Sequence, residues 1–160
     1  MRRKDREVTD PAEIEAILRR CEVCRLALND PETGAPYILP LNFGFERQAG
    51  RLVLYFHGAA AGRKHQLIAA DPHAAFEMDC GHELILDQES GNCSMAYESV
   101  IGTGTIGPVP DAERPAALRA LMRQYRSETF VYNPAVLPVT VFLKLTVEQL
   151  TAKRRPKPGA

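Results

Sequence analysis

Residues Ala96 to Val109 read as one long strand that carries Gly102, Gly104 and Gly107. A strand with so many missing side chains either bends sharply or lets something approach its backbone. The rest of the chain repeats the period-two pattern in shorter pieces. From Val23, Cys24, Leu26 and Leu28 fall on one side and Arg25 and Ala27 on the other. Asn29 to Gly34 is a turn cluster. Pro36 to Phe45 is a second strand, and Pro40 within it predicts an edge, a bulge or a strand that leaves its partner. Gln48-Ala49-Gly50 then turns the chain into Arg51 to His57, and the three strands form an antiparallel meander.

Ala74 to Asp79 and Glu83 to Leu86 are further strand candidates, Gly91 to Ser94 is a loop, and Val139 to Val147 is the last strand. Asp10-Pro11-Ala12-Glu13 starts a helix with a capping residue and a proline suited to its first turn. Ile14, Ile17 and Leu18 give that helix one apolar face. Arg63 to Ala70 is a short helix ended by Asp71-Pro72. Asp111 to about Arg126 is a third, whose start can slip toward Pro115. Ser127 to Pro138 is irregular. About seven mostly antiparallel strands with three peripheral helices make a mainly β (α+β) chain, a small β-barrel with helical additions.

A chain of 160 residues is one domain with short tails. Lysine plus arginine number 20 and aspartate plus glutamate 20, so the balance excludes a chain built mainly to hold nucleic acid or an acidic membrane surface. No apolar run approaches the ~20 residues of a membrane span, and no signal-peptide core opens the sequence, so a cytoplasmic location is expected. Both ends are basic. Residues 151–160, with Lys153, Arg154, Arg155 and Lys157, read as a solvated, flexible tail beyond a domain of residues 1–150. Cys21 and Cys24 end a helix and lead into a strand, the reverse of a redox motif that opens a helix. With Cys80 and Cys93 they are expected to be free structural thiols, without metal.

Chemistry concentrates between Leu52 and Ile68. A strand ending in Tyr55-Phe56-His57-Gly58 runs through small residues to Gly62, then into a helix that opens with Arg63 and Lys64. The free N–H groups and dipole of a helix start favour an anion there, whereas two cations oppose the dipole unless something negative lies between them. A phosphate-bearing ligand and a solvated helix start both fit this pattern. The spacing is that of neither a P-loop nor a dinucleotide fingerprint.

The order Arg25-Leu26-Ala27-Leu28, Pro36 to Phe45, Tyr55-Phe56-His57-Gly58 with Gly62-Arg63-Lys64, Phe76-Glu77-Met78-Asp79 and Tyr97 to Gly104 resembles the pyridoxamine 5'-phosphate oxidase-like flavin proteins. Within them it is most similar to the nitroimidazole-resistance (Nim-type) branch. The resemblance spans about residues 1 to 150 and implies a six- to seven-stranded antiparallel split β-barrel. It also implies a homodimer with FMN at the subunit interface, without nucleic acid or membrane.

Carried over residue by residue, the resemblance puts Pro40, Leu41, Asn42 and Phe43 beside the flavin ring. Tyr55, Phe56, His57 and Gly58 come under the ribityl chain and ring, Gly62, Arg63 and Lys64 at the phosphate, and Ser99 in a hydrogen bond to the cofactor. Leu41-Asn42-Phe43 is uncharged and the C-terminal Arg-x-His segment is missing, so oxidation of pyridoxine phosphates is not expected. The implied activity is FMN-dependent reduction of nitroaromatic, 5-nitroimidazole-like or similar small acceptors, with His57 as proton donor. The alternatives are a non-catalytic protein that binds flavin or haem for storage or sensing, and, more weakly, a deazaflavin user. A purely structural role for His57 stands beside the catalytic one.

Overall fold

The structure is a computed structural model that describes residues 3–126, 129 and 140–157. The irregular segment read at Ser127 to Pro138 falls outside the described residues except at position 129. Chain order is β1 (Glu7–Val8), α1 (Pro11–Arg20), β2 (Cys24–Leu28), β3 (Tyr37–Leu41), β4 (Phe43–Gln48) and β5 (Arg51–Ala59). There follow α2 (Arg63–Ala70), β6 (His73–Asp87), β7 (Asn92–Pro108), α3 (Arg114–Gln124) and β8 (Thr140–Arg155).

The strands follow one antiparallel path, β3-β2-β6-β7-β8-β5-β4, with β1 added to β8. The two ends of that path, β3 and β4, are consecutive in the chain with only Asn42 between them. The barrel is therefore closed by the chain itself rather than by a hydrogen-bonded ladder. It is a split barrel. Pro40 lies opposite Arg25 on β3, which pairs with β2 alone, so its missing N–H faces an unpaired edge as the sequence predicts.

The split is fastened by the Tyr125 hydroxyl just past α3. That oxygen accepts from Asn42 Nδ2 at 3.1 Å and from the Phe43 N–H at 3.0 Å, and donates to the Glu22 carbonyl at 2.8 Å. One donor and two lone pairs are all a hydroxyl has, and all are used. Gln124, beside it, donates to the carbonyls of Leu18 and Cys21 and so ties α3 to the end of α1.

Two apolar clusters follow from strand alternation. Leu52, Leu54 and Phe56 point into the barrel with Phe43, Phe45, Phe76 and Met78, and α1 adds Ile14, Ile17 and Leu18. Val53 and Tyr55 point the other way, against Ala117, Ala120 and Leu121 of α3. The helix can lie that close because of Gly44, where a Cβ would stand 2.3 Å from the Ala120 carbonyl carbon. Gly102 and Gly104 are likewise sites of close approach, to the Phe76 ring and to the Thr146 carbonyl oxygen. Between Thr103 and Gly104 the register shifts by one residue, the extra one being Glu148 on β8.

Several boundaries differ from the sequence reading. The two candidate strands at 74–79 and 83–86 are one strand, β6, with a shift between Cys80 and Glu83 that absorbs Gly81 and His82. β7 starts at Asn92, within the stretch read as a loop. A turn of 3-10 helix, Asp111–Glu113, precedes α3, which places Pro115 in the first α-helical turn. The last strand runs to Arg155 rather than Val147. Lys153, Arg154 and Arg155 are thus ladder residues rather than a frayed tail, because β7 and β1 satisfy their backbone. Arg154 is also held by Glu98 at 2.6 Å and Glu13 at 3.1 Å, and Lys157 by Glu83.

Cys21 and Cys24 are buried, Cys80 half-buried and Cys93 exposed, all as free thiols. Burial pushes the Cys21 and Cys24 thiols up, away from thiolate chemistry. No helix among the described residues is long and apolar enough to cross a membrane.

Replacing Gly44 with alanine drives a methyl group into α3. The expected loss is about 1–3 kcal/mol or more in urea unfolding, against a change near zero for Gly107→Ala, where a Cβ meets nothing within 4 Å. Tyr125→Phe removes the fastening of the split and is expected to cost about 1–3 kcal/mol in the same measurement, with the fold retained.

Candidate functional site

The corner between β5 and α2 gathers His57, Gly58, Gly62, Arg63 and Lys64. Alternation along β5 sends Phe56 inward and Tyr55 outward, so His57 points out of the barrel, opposite Phe142 in the ladder with β8. His57 is exposed and has no hydrogen-bond partner among the described residues. Gly58 faces the opposite way. Its missing side chain is covered by Lys64, whose Nζ lies 3.4 Å from where a Cβ would be. His57 and Lys64 therefore reach the end of β5 from its two faces.

Gly62 caps α2 with φ +132°, a backbone that favours glycine, and offers no side-chain acceptor. The first intrahelical bond is His65 N–H to the Gly62 carbonyl, which leaves the N–H groups of Arg63 and Lys64 without an acceptor among the described residues. Lys64 has no carboxylate partner among them either; its Nζ lies 3.5 Å from the Ala59 carbonyl oxygen. His65, read as solvated, is half-buried with Nε2 2.8 Å from that same oxygen.

Arg63, expected at the phosphate, has two carboxylate partners in the structure. Its Nη2 donates to Asp30 Oδ2 at 2.6 Å and to Glu32 Oε2 at 3.0 Å. The turn between β2 and β3 supplies negative charge to this one cation. Burial opposes ionisation of Asp30, but hydrogen bonds from Arg63, Thr33 and the Glu32 N–H outweigh it and hold its pKa below the usual carboxylate value. The same turn grips the other end of α2, where Asn29 Nδ2 donates to Asp71 Oδ2 at 2.7 Å. Asp71 in turn accepts from the His73 N–H at 3.0 Å and lies 2.7 Å from its ring.

Other predicted residues are placed less simply. Phe43 and Phe56 have fully buried side chains in the barrel core. Tyr55 is buried against α3, with its hydroxyl donating to Glu46 at 2.7 Å and accepting from Gln48 at 2.8 Å. Burial first, and Glu46 next, push its pKa up. These three side chains are packed, and their backbones lie in the β4–β5 and β5–β8 ladders. Even the Phe43 N–H is engaged by Tyr125, as is the Asn42 amide. Pro40 is exposed and Leu41 packs partly on the core. Because Phe43 pairs with Phe56, Asn42 and His57 are the next residues beyond that pair, so the split adjoins the β5 corner.

Ser99 stands apart. It pairs with Lys153, whereas His57 pairs with Phe142, and those two β8 residues are separated by roughly 35 Å of strand at ~3.3 Å per residue. Within one chain the structure does not bring Ser99 to the corner.

The sequence profile of the family described as pyridoxamine 5'-phosphate oxidase matches residues 10–154. The chain belongs to that family. Among solved structures, a candidate 5-nitroimidazole antibiotic resistance protein from Bacteroides thetaiotaomicron is 28% identical, with a TM-score of 0.78 over 92% of this chain and 85% of that one. The flavocytochrome Anf3 from Azotobacter vinelandii is 19% identical with a TM-score of 0.77 over 99% of this chain and 73% of its own. An FAD and heme binding protein from Mycobacterium smegmatis is 20% identical with a TM-score of 0.76, over 97% of this chain and 76% of its own. No curated protein matches the chain.

In this pyridoxamine 5'-phosphate oxidase family member, Asp30, Glu32 and Tyr125 shape the site yet were not singled out by sequence. Asp30 and Glu32 read as turn formers, and Tyr125 as the end of a helix. Their partners are distant in the chain, where spacing gives no signal.

The low Asp71 pKa, about 2, has its origin first in the Asn29 hydrogen bond and then in those from His73. A carboxylate depressed in the folded state stabilises above its unfolded value near 3.9 and loses that contribution as pH falls toward 2. The stability gap between the native chain and Asp71→Ala is therefore expected to be full at pH 5 and to shrink by pH 2.5, read as urea midpoints.

Proposed function

We propose that this protein is an FMN-dependent reductase of nitroaromatic, 5-nitroimidazole-like or similar small acceptors, working as a homodimer in the cytoplasm. The observation that carries the reading is Lys64. It lies over a side-chain-free strand end, beside two unpaired N–H groups at the start of α2, with no carboxylate partner among the described residues. A lysine, a helix start and a glycine cradle suit a phosphate. The 28% identity to a candidate 5-nitroimidazole resistance protein supports the choice of acceptor.

When bound, the flavin supplies the electron-transfer chemistry. The chain's own residues supply position and protons. Lys64 and the α2 N–H groups hold the phosphate. Asn42, kept in place by Tyr125, and Pro40 with Leu41 border the split next to His57. Neither ring nitrogen of His57 has a partner among the described residues, and either can carry a proton to the acceptor.

The dimer reading rests on the outer face of β6 and β7. Past the shift at Cys80, alternation puts Leu84, Leu86 and Met95 on the same side as Ile101, and these are 56%, 62%, 42% and 47% exposed. Leu84 and Met95 adjoin across the ladder with Leu86 two residues along, and exposed apolar side chains gathered in this way mark an interface. A second copy laid on it also offers Ser99 a route to a cofactor that its own chain denies it.

The purified protein is expected to be yellow, to bleach with dithionite and to be reoxidised by a nitroimidazole. A Soret band instead of flavin bands would favour the haem-binding alternative. Lys64→Ala is expected to fold and lose flavin, whereas His57→Ala keeps flavin and turns over more slowly, by about 10²-fold or more for a lost proton donor. Unchanged flavin content in the first variant sinks the phosphate assignment. Sedimentation is expected to show a dimer that Leu84→Asp with Met95→Asp weakens.

A further inference from the structure

We propose that Cys21 and Cys80 are an oxidisable pair, in which a hydroperoxide entering the cavity beside them converts the two thiols into a disulfide that ties the end of α1 to β6. The pair lies away from the corner between β5 and α2, and the proposal does not depend on the flavin reading.

Two cysteines far apart in the chain are brought to one oxygen. The Ile17 carbonyl accepts the Cys21 N–H at 3.1 Å as α1 ends, and Cys80 Sγ lies 4.0 Å from that same oxygen. The two side chains also hydrogen-bond to each other. Both line one cavity of about 600 Å³, together with Glu22, Gly81, Gln124 and Tyr125. Cys80 is half-buried and Cys21 only 1% exposed, so an oxidant in that cavity meets Cys80 first. Cys24 is fully buried, and Cys93 stands exposed on the far ribbon, opposite Leu86.

Cys80 Sγ donates to Glu98 Oε2 at 3.8 Å, and Glu98 is itself gripped by Arg20 and Arg154, each at 2.6 Å. Burial pushes the Cys80 thiol up, while the hydrogen bond from Cys21 and the nearby Arg20 charge work the other way. A thiol so placed ionises rarely and reacts slowly, so the pair stays reduced until peroxide is abundant.

In the first step Glu98 takes the Cys80 proton and the sulfur attacks a peroxide oxygen. The S–O bond forms as the O–O bond breaks, sulfur gives an electron pair to the peroxide, and the departing hydroxide recovers the proton from Glu98 as water. The Cys21 sulfur then attacks the sulfenic acid at Cys80. The S–S bond forms, the S–O bond breaks, and the Cys21 proton leaves with the hydroxide as a second water. The new bond lies beside the Cys21 and Glu22 carbonyls, which hold Gln124 and Tyr125, so oxidation is felt at the fastening of the split.

The test treats the folded Cys93→Ser chain, which lacks the exposed thiol, with hydrogen peroxide, then alkylates the free thiols and digests with trypsin. Two of the three remaining thiols are expected to escape alkylation. The peptide of residues 21–25 is expected to be joined to the one carrying Cys80 until dithiothreitol separates them. Fragmentation of the 21–25 peptide tells Cys21 from Cys24. Cys80→Ser in the same background, a change at a half-buried position, is expected to fold and to form no disulfide. Three thiols untouched by peroxide overturn the proposal, as does Cys80 oxidised singly with Cys21 still free. A bond to Cys24, or a disulfide that persists in Cys80→Ser, overturns it as well.

Discussion

The geometry of this chain hinges on a single residue that belongs to no strand. Asn42 lies between β3 and β4, the two ends of an otherwise hydrogen-bonded path, and the barrel exists because the chain can cross there. Two strand edges meeting without a ladder leave polar groups to satisfy. The Tyr125 hydroxyl meets part of that need by binding the Asn42 amide, the Phe43 N–H and the Glu22 carbonyl at once. Tyr125 can do so only because α3 sits tightly on β4 at Gly44. The close approach, the hydroxyl and the split are one device, and it borders the corner where His57 is exposed.

Charge is distributed with the same economy. The chain is neutral overall, and many of its cations are matched locally. Arg20 and Arg154 share Glu98, Arg25 bridges Glu77 and Asp79, and Arg63 is gripped by Asp30 and Glu32. Most of these pairs are partly exposed and individually contribute little to stability. Their effect is to fix where positive charge is not available. Against that background the lack of a carboxylate partner for Lys64 among the described residues is informative in a way that a lysine count is not.

Much of this was legible in the sequence. Period-two runs, turn dipeptides and the Pro40 interruption foretold the edge strand and the barrel. The stretch read as one strand, Pro36 to Phe45, is instead two, β3 and β4, at opposite ends of the path, so the expected three-strand meander is not formed. The Asp10-Pro11 start foretold α1, and the Gly62-Arg63 boundary foretold α2. The resemblance added the split and the family. What local pattern could not supply was pairing across the chain. Asp30 looks like a turn residue until Arg63 is brought to it. Gly44 looks like an ordinary strand glycine until α3 covers it. The basic C-terminal stretch looks solvated until β1 and β7 flank it. Tyr55 and Phe56, adjacent in one motif, are buried in opposite layers, and His57 is the exposed member beside them. In each case the missing information was long-range contact rather than residue chemistry.

The far half of the β6–β7 hairpin has a different standing from the barrel. Beyond Tyr97, which pairs with Arg155, β7 has lost β8 as a neighbour, and the ribbon from Glu83 to Ala96 is two strands wide with an apolar side toward water. Two-stranded ribbons have little stability of their own. Left uncovered by a second copy, the ribbon's amide hydrogens are expected to exchange through local fraying, while those of the seven-strand path wait for global opening. The molecule thus has two tiers of rigidity along the same pair of strands, with the boundary at the Gly81-His82 shift.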